Sequence, residues 1–196
     1  MQFHIPEIFH LPLAIPFWLV FAWVWIPETL LARKSIGFAS SAQDAGTYRV
    51  IAVANHAAML AAFAVSAFSW TSMPHQFIAG VTGTVMLFIG GVLRRYCFRA
   101  LGQYFTAAIK VTPDQPLIQH GPYRWIRHPS YTAGLLILAG IGVALGNCLS
   151  VAFLFLIPCY SYTVRVSAEE RALLDTMGTP YRQYMERTKR FIPFLY

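Results

Sequence analysis

Two stretches hold most of the side chains able to do chemistry. Lys110–Tyr131 reads KVTPDQPLIQHGPYRWIRHPSY, and Arg165–Tyr184 reads RVSAEERALLDTMGTPYRQY. In the first, Gly121-Pro122-Tyr123-Arg124 is followed by Arg127-His128-Pro129-Ser130-Tyr131. Gly121-Pro122 favours a turn whose backbone is open to a ligand. Pro129 suits the first position of a helix, where unpaired N–H groups take an anionic group such as a carboxylate. His128 and Tyr131 stand three apart and can face one pocket. In the second stretch Arg165 precedes Glu169 by four residues, the spacing of an ion pair on a helix. Arg165 directly continues an apolar run, and charges at membrane depth usually face a cavity and carry function. Its planar fork suits a carboxylate. Glu169 and Glu170 offer anionic sites for a cation or an amine. Taken singly, these residues read as interface anchors, capped loop positions and a surface ion pair worth a few tenths of a kcal/mol. Their density points to a site.

These residues must be positioned by membrane helices. The 196 residues are 57% apolar and only 12% charged, half the charged share of a soluble domain. That balance excludes a soluble globular enzyme, a disordered chain and a disulfide scaffold. The expected fold is all-α and integral to a membrane: a single membrane domain over 1–196, with its catalytic half at 99–196. Spans are expected at about 8–27, 50–69, 77–93, 132–146 and 148–165. The last two replace one charge-free run of 35 residues, Ser130–Val164, divided at the Gly146-Asn147 turn signal. Pro12 and Pro16 should kink or delay the first helix. Arg94 and Arg95 should close the third. Gly142 and Gly146 form a G-x-x-x-G pair that reads as helix packing. Met177-Gly178 should end a helix and Pro180 restart one, with Tyr181, Tyr184, Met185 and Thr188 on one face of an interfacial amphipathic helix.

The basic residues test this count. All fifteen Lys and Arg fall on one side of a five-span arrangement, in the first loop, the third loop and the tail. The positive-inside rule then places the N-terminus outside and the C-terminus and site in the cytoplasm. The last hairpin brings Tyr131 and Arg165 to the same face. The net charge of +7 reads as membrane orientation and contact with anionic lipid rather than nucleic-acid binding. Cys97, Cys148 and Cys159 share no metal spacing and read as packing residues. No Rossmann fingerprint, P-loop or H-E-x-x-H is present, and His120 and His128 lack supporting ligands, so no metal is expected. The N-terminus lacks the basic region of a cleavable signal peptide, so the first apolar run is read as mature protein.

The run Gly121-Pro122-Tyr123, then Arg127-His128-Pro129-Ser130-Tyr131, then a hairpin, then Glu169-Glu170 with Gly178 and Tyr181 resembles the isoprenylcysteine carboxyl methyltransferases. Their wider superfamily includes phospholipid methyltransferases and prokaryotic membrane proteins. The resemblance covers roughly Arg99–Tyr196. It implies S-adenosylmethionine as methyl donor, with S-adenosylhomocysteine as product, held in a cytoplasm-facing pocket made by the last helices and the C-terminal segment. It implies that Gln115, Pro116, Leu117, Ile118 and Tyr123 line the adenosine side. His128, Pro129 and Tyr131 would hold the methionine part, with Gly121 and Ser130 in the same set. Lys110 and His120 are further cofactor candidates by position. Arg165 would face the substrate carboxylate, and Glu169 would contact the cofactor. Ala168 precedes only two glutamates, where members close to the eukaryotic enzyme carry a longer acidic run, so Glu169 and Glu170 both stand as candidates.

The implied reaction is methylation of a lipophilic acceptor, an isoprenylated cysteine carboxylate first. A carboxylate is already ionised at pH 7 and needs no strong base. The enzyme's task is positioning and exclusion of water, and positioning can supply roughly 7–11 kcal/mol. A phospholipid or other small lipophile is the alternative acceptor, although Arg165 has the wrong charge for an amine. The second alternative is a non-enzymatic small transporter or assembly factor, which would set polar residues along a path through the spans. Only Asn55, His56 and scattered Ser and Thr fit that description.

Overall fold

A computed structural model describes residues 5–35, 44, 46–105, 109, 111–112 and 114–192. Lys110 lies outside the described residues. Among the described residues six α-helices follow in order: α1 (Ala14–Ser35), α2 (Thr47–Ser66), α3 (Gln76–Leu101), α4 (Pro129–Ala144), α5 (Cys148–Met177) and α6 (Thr179–Arg187). Helices α2, α3 and α5 are long and apolar enough to cross a membrane, and Ala14–Leu30 and Pro129–Ala144 are shorter apolar helices. Large apolar side chains such as Leu19, Val53, Leu60, Ile78 and Leu156 are exposed on their outer faces, as a bilayer requires.

Helices lie over the expected span positions, with shifted ends. The first starts later than expected, at Ala14 rather than residue 8, after a short 3-10 turn at Glu7–Phe9. Pro12 precedes the helix and Pro16 falls in its first turn, where a missing N–H costs nothing. Pro27, read as a span end, lies inside α1. Arg94 and Arg95 do not close the third helix, which continues to Leu101. The fifth runs twelve residues beyond its expected end, so Arg165 and Glu169 share one rigid element. Helix propensity continues past the apolar window in both cases, because the segments beyond it lack Pro and Gly until Gly102 and Gly178.

Close packing follows from small residues. A side chain added at Gly83 would strike the α4 backbone at Gly140 and Ala144, and one at Gly140 would meet Leu87 N at 2.7 Å. Helices α3 and α4 therefore touch backbone to backbone. Gly142 packs the same way on Val151 of α5. The α4–α5 turn forms as expected: Gly146 adopts φ +62°, and Asn147 caps α5 by accepting from Ser150 N at 3.1 Å. Gly178, at φ +59°, ends α5, and Pro180 falls in the first turn of α6. The chain after α6 returns beside the segment before α4. Arg127 N donates to Lys189 O at 2.8 Å and His128 N to Arg190 O at 3.1 Å. This tie fixes the C-terminal segment against the mouth of the helix bundle.

Candidate active site

A cavity of about 520 Å³ opens among α1, α2, α3, α4, α5 and the loop before α4. That volume lies in the range of small-molecule sites. One end is polar and is walled by Gln115–Ile118, Tyr123, Arg127, His128, Tyr131, Glu169 and Tyr181. The other is mainly apolar and is walled by Val24, Trp25, Ile51, Ile137 and Leu138, with Asn55 and Tyr162 among them.

Where the two ends meet, a chain of hydrogen bonds crosses the bundle. Arg165, 2% exposed, donates through Nη1 to Asp44 Oδ1 and to Thr47 Oγ1, the latter at 2.7 Å. Its Nε donates to Tyr131 Oη at 3.2 Å, and Tyr131 Oη donates to Glu169 Oε2 at 2.8 Å. Arg165 and Glu169, expected as a direct pair, thus meet through the Tyr131 hydroxyl. Asp44 is fully buried and also accepts from Ile109 N at 3.0 Å and Tyr48 N at 3.1 Å. Burial acts to raise its pKa, but these N–H groups and the guanidinium outweigh burial and hold the carboxyl below its ordinary range.

The two adjacent glutamates face different surroundings. Glu169 lines the cavity. Glu170, 3% exposed, accepts from Arg127 Nε at 2.6 Å, Arg190 Nη2 at 2.6 Å and His128 Nε2 at 3.3 Å. It ties α5 to the loop before α4 and to the tail, and it is not part of the cavity wall. A third charged cluster lies on the cavity's other side. Arg94 donates to Glu28 at 2.7 and 3.1 Å, to Ser130 O at 2.9 Å and to Ser130 Oγ, so it joins α1, α3 and α4.

Of the expected site residues, Gln115, Pro116, Leu117, Ile118, Tyr123, His128, Ser130, Tyr131, Arg165 and Glu169 line the one cavity. His120, Gly121, Pro129 and Glu170 do not. His120 and Gly121 are exposed, and Gly121 takes φ +61° to start the 3-10 turn that presents Tyr123. Pro129 is buried as the first residue of α4 and sets the orientation of His128 and Tyr131. The face of α6 expected at the membrane interface is instead internal. Tyr181 and Tyr184 are buried, and Tyr184 Oη donates to Tyr123 O at 2.7 Å. Glu28, Asp44, Asn55, Arg94 and Tyr162 were not legible as site residues. Their partners lie far away in sequence; the fold brings Glu28, Asn55, Arg94 and Tyr162 to the cavity and sets Asp44 against Arg165.

Several buried polar atoms of the wall lack protein partners. Gln115 Oε1 and Tyr181 Oη have none, and Tyr123 Oη has only the Cys97 thiol beside it. Burial pushes the Tyr123 and Tyr181 phenols above their ordinary range, so both remain O–H donors at neutral pH. Buried polar groups are normally hydrogen-bonded, so three such atoms on one cavity wall describe a binding surface.

An apolar bundle enclosing a cavity with both polar and apolar walls defines a multi-pass helical membrane protein. Residues 83–175 of this chain match the sequence pattern of the isoprenylcysteine carboxyl methyltransferase (ICMT) family. It is 30% identical over 125 residues to a probable protein-S-isoprenylcysteine O-methyltransferase of Oryza sativa subsp. indica, covering 63% of this chain and 65% of that one. It is 30% identical over 115 residues to protein-S-isoprenylcysteine O-methyltransferase A of Arabidopsis thaliana, covering 58% of each. Its fold matches the structure of the eukaryotic intramembrane Ras methyltransferase ICMT with a TM-score of 0.59 and 25% identity, covering 74% of this chain and 52% of that one. The chain spans less than two thirds of the length of these relatives.

Proposed function

We propose that this protein is an S-adenosylmethionine-dependent carboxyl O-methyltransferase acting on an isoprenylated cysteine. The observation that carries the reading is the junction in the cavity, where Arg165 stands between a polar compartment with unpartnered acceptors and donors and an apolar one. The names of the relatives point the same way.

The polar end fits S-adenosylmethionine by donor chemistry. Gln115 Oε1 can accept from an adenine or ribose donor, and the Tyr123 and Tyr181 hydroxyls can donate to ring nitrogens or ribose oxygens. Glu169, held by Tyr131, places a carboxylate beside the cationic end of such a ligand. His128 and Tyr131 would hold its amino-acid part. When bound, this cofactor supplies a methyl group activated on a sulfonium.

The protein's own residues do the rest by positioning. Asp44, Thr47 and Tyr131 hold the Arg165 guanidinium at the cavity wall, so a substrate carboxylate meets a cation already in place. An ionised carboxylate needs no general base. The bundle excludes water and lets the lipid remain in apolar surroundings, where each CH₂ is worth about 0.8 kcal/mol. An amine acceptor would sit against the Arg165 charge, which disfavours the phospholipid alternative. The one-sided basic residues support an N-terminus outside and a cytoplasmic site.

The test is transfer of a labelled methyl group from S-adenosylmethionine to N-acetyl-S-farnesylcysteine in vesicles containing the protein. A base-labile ester product supports the reading. Absence of product, with S-adenosylmethionine bound and the protein folded, overturns it.

A further inference from the structure

The apolar end of the cavity contains a polar pair that the reaction does not use. Asn55 Nδ2 on α2 donates to Tyr162 Oη on α5 at 3.1 Å. Asn55 Oδ1 is buried and has no partner. Among the described residues the Tyr162 hydroxyl accepts this bond, and its own proton has no acceptor. Tyr162 is buried beneath Tyr131, with ring centroids 5.2 Å apart, and its hydroxyl lies against Gly134, where an added Cβ would sit 2.9 Å away. Asn55 and Tyr162 thus present one acceptor and one donor, side by side, to a space whose wall also holds Ile51, Ile137 and Leu138 and the Glu28–Arg94 pair.

An unmet acceptor and an unmet donor inside an apolar cavity are costly unless a ligand meets them. A neutral group able both to donate and to accept matches the pair, and a hydroxyl is the smallest such group. A charged group fits poorly, because Asn55 and Tyr162 carry no charge and the nearby Arg94 and Glu28 already neutralise each other. Its place along the ligand follows from α2. Thr47, which contacts the Arg165 guanidinium, and Asn55 are two turns apart, about 12 Å by helical rise.

We infer that Asn55 and Tyr162 form a hydroxyl-binding subsite. On the methyltransferase reading, on which this rests, the acceptor lipid carries a hydroxyl roughly 5–12 Å from its carboxylate, bounded by the α5 rise from Tyr162 to Arg165 and the α2 rise from Thr47 to Asn55. A plain hydrocarbon chain leaves both polar atoms unmet and binds less tightly. Tyr162 lies within residues 83–175 and Asn55 outside them, so the subsite pairs a residue the family match covers with one it does not.

The experiment compares two farnesylcysteine carboxylates, one plain and one bearing a chain hydroxyl within that range, by calorimetry on protein saturated with S-adenosylhomocysteine and by turnover. The wild type should bind the hydroxylated compound about tenfold more tightly, a difference of about 1.4 kcal/mol. Asn55→Leu should lose that preference and bind the plain compound at least as well as before. Tyr162→Phe should reduce the preference severalfold, and unchanged S-adenosylhomocysteine affinity reports that each variant is folded. Equal binding of both compounds by the wild type, meaning that the pair holds water only, overturns the subsite. Persistence of the preference in Asn55→Leu overturns it too. The readouts separate the two ideas: methylation without preference removes the subsite and keeps the reaction, whereas preferential binding without methylation does the reverse.

Discussion

Substituting each of the two adjacent glutamates by glutamine separates a ligand contact from a structural one. Glu170→Gln removes the charge from a carboxylate that accepts from Arg127, Arg190 and His128 and is 3% exposed. Breaking a buried ion pair costs about 3–5 kcal/mol. The lower end applies here. Arg127 keeps the Thr188 carbonyl at 2.5 Å, and the Arg190 side chain is 28% exposed and reaches solvent. A loss of about 3 kcal/mol in a chain of this size lowers the unfolding midpoint by roughly 6–12 °C. Glu169→Gln behaves differently, because a glutamine carbonyl still accepts from Tyr131 and the side chain borders the cavity. Its midpoint should move by less than about 2 °C, about 0.5 kcal/mol, because the glutamine keeps the Tyr131 hydrogen bond and exposes no buried charge. Its affinity for S-adenosylmethionine should fall at least tenfold, because a hydrogen bond to a charged group contributes about 1.5–3 kcal/mol. Thermal unfolding in detergent, with calorimetric titration of the cofactor, reads both quantities. A stable Glu170→Gln together with an unstable Glu169→Gln of unchanged affinity refutes the division of roles.

Other perturbations follow from the same contacts. Arg165→Ala should cut turnover at least a hundredfold while leaving cofactor affinity within about threefold, since truncating one partner of a buried charge pair costs about 2–5 kcal/mol; a large affinity loss by calorimetry contradicts its assignment to the acceptor. Asp44→Asn should raise KM for the acceptor and lower the unfolding midpoint, because the Arg165 guanidinium loses a fully buried counter-charge. The depressed pKa of Asp44 adds stability that is present above the ordinary Asp value of about 3.9 and lost as pH falls through the lower folded value. Midpoints measured from pH 7 to pH 5 should therefore show no loss from this group, with a decline only below about pH 4. Tyr181→Phe should weaken S-adenosylmethionine binding severalfold with an unchanged midpoint, because it removes a hydroxyl that has no protein partner.

What the sequence made legible and what it hid have different physical causes. Apolar runs and turn residues act locally, so the helices, the Gly146-Asn147 turn and the break at Gly178 could be read directly. Helix ends could not, because a bilayer sets hydropathy and not helix length: α3 and α5 continue well past their apolar windows. The dense His, Tyr and Arg motif marked the wall from Gln115 to Tyr131 and the Arg165–Glu169 turn of α5. Asp44 and Glu28 escaped notice, and Asn55 stood out only as a polar residue within a span, because the partner of each lies far away in sequence, as with Asp44 and Arg165, 121 positions apart. The different surroundings of Glu169 and Glu170 were likewise tertiary, set by where Arg127 and Arg190 lie. The inward face of α6 shows the same limit, since an amphipathic pattern does not say whether its apolar side meets lipid or protein.

The most direct test of the central claim is a single experiment on reconstituted protein: methyl-ester formation on a prenylated cysteine carboxylate, measured with S-adenosylmethionine as the methyl donor, in the wild type and in Arg165→Ala. Ester should form with the wild type and fall to background with the variant, while both bind S-adenosylhomocysteine with similar affinity. Equal ester formation by both proteins, or none by a wild type that binds the cofactor, would contradict it.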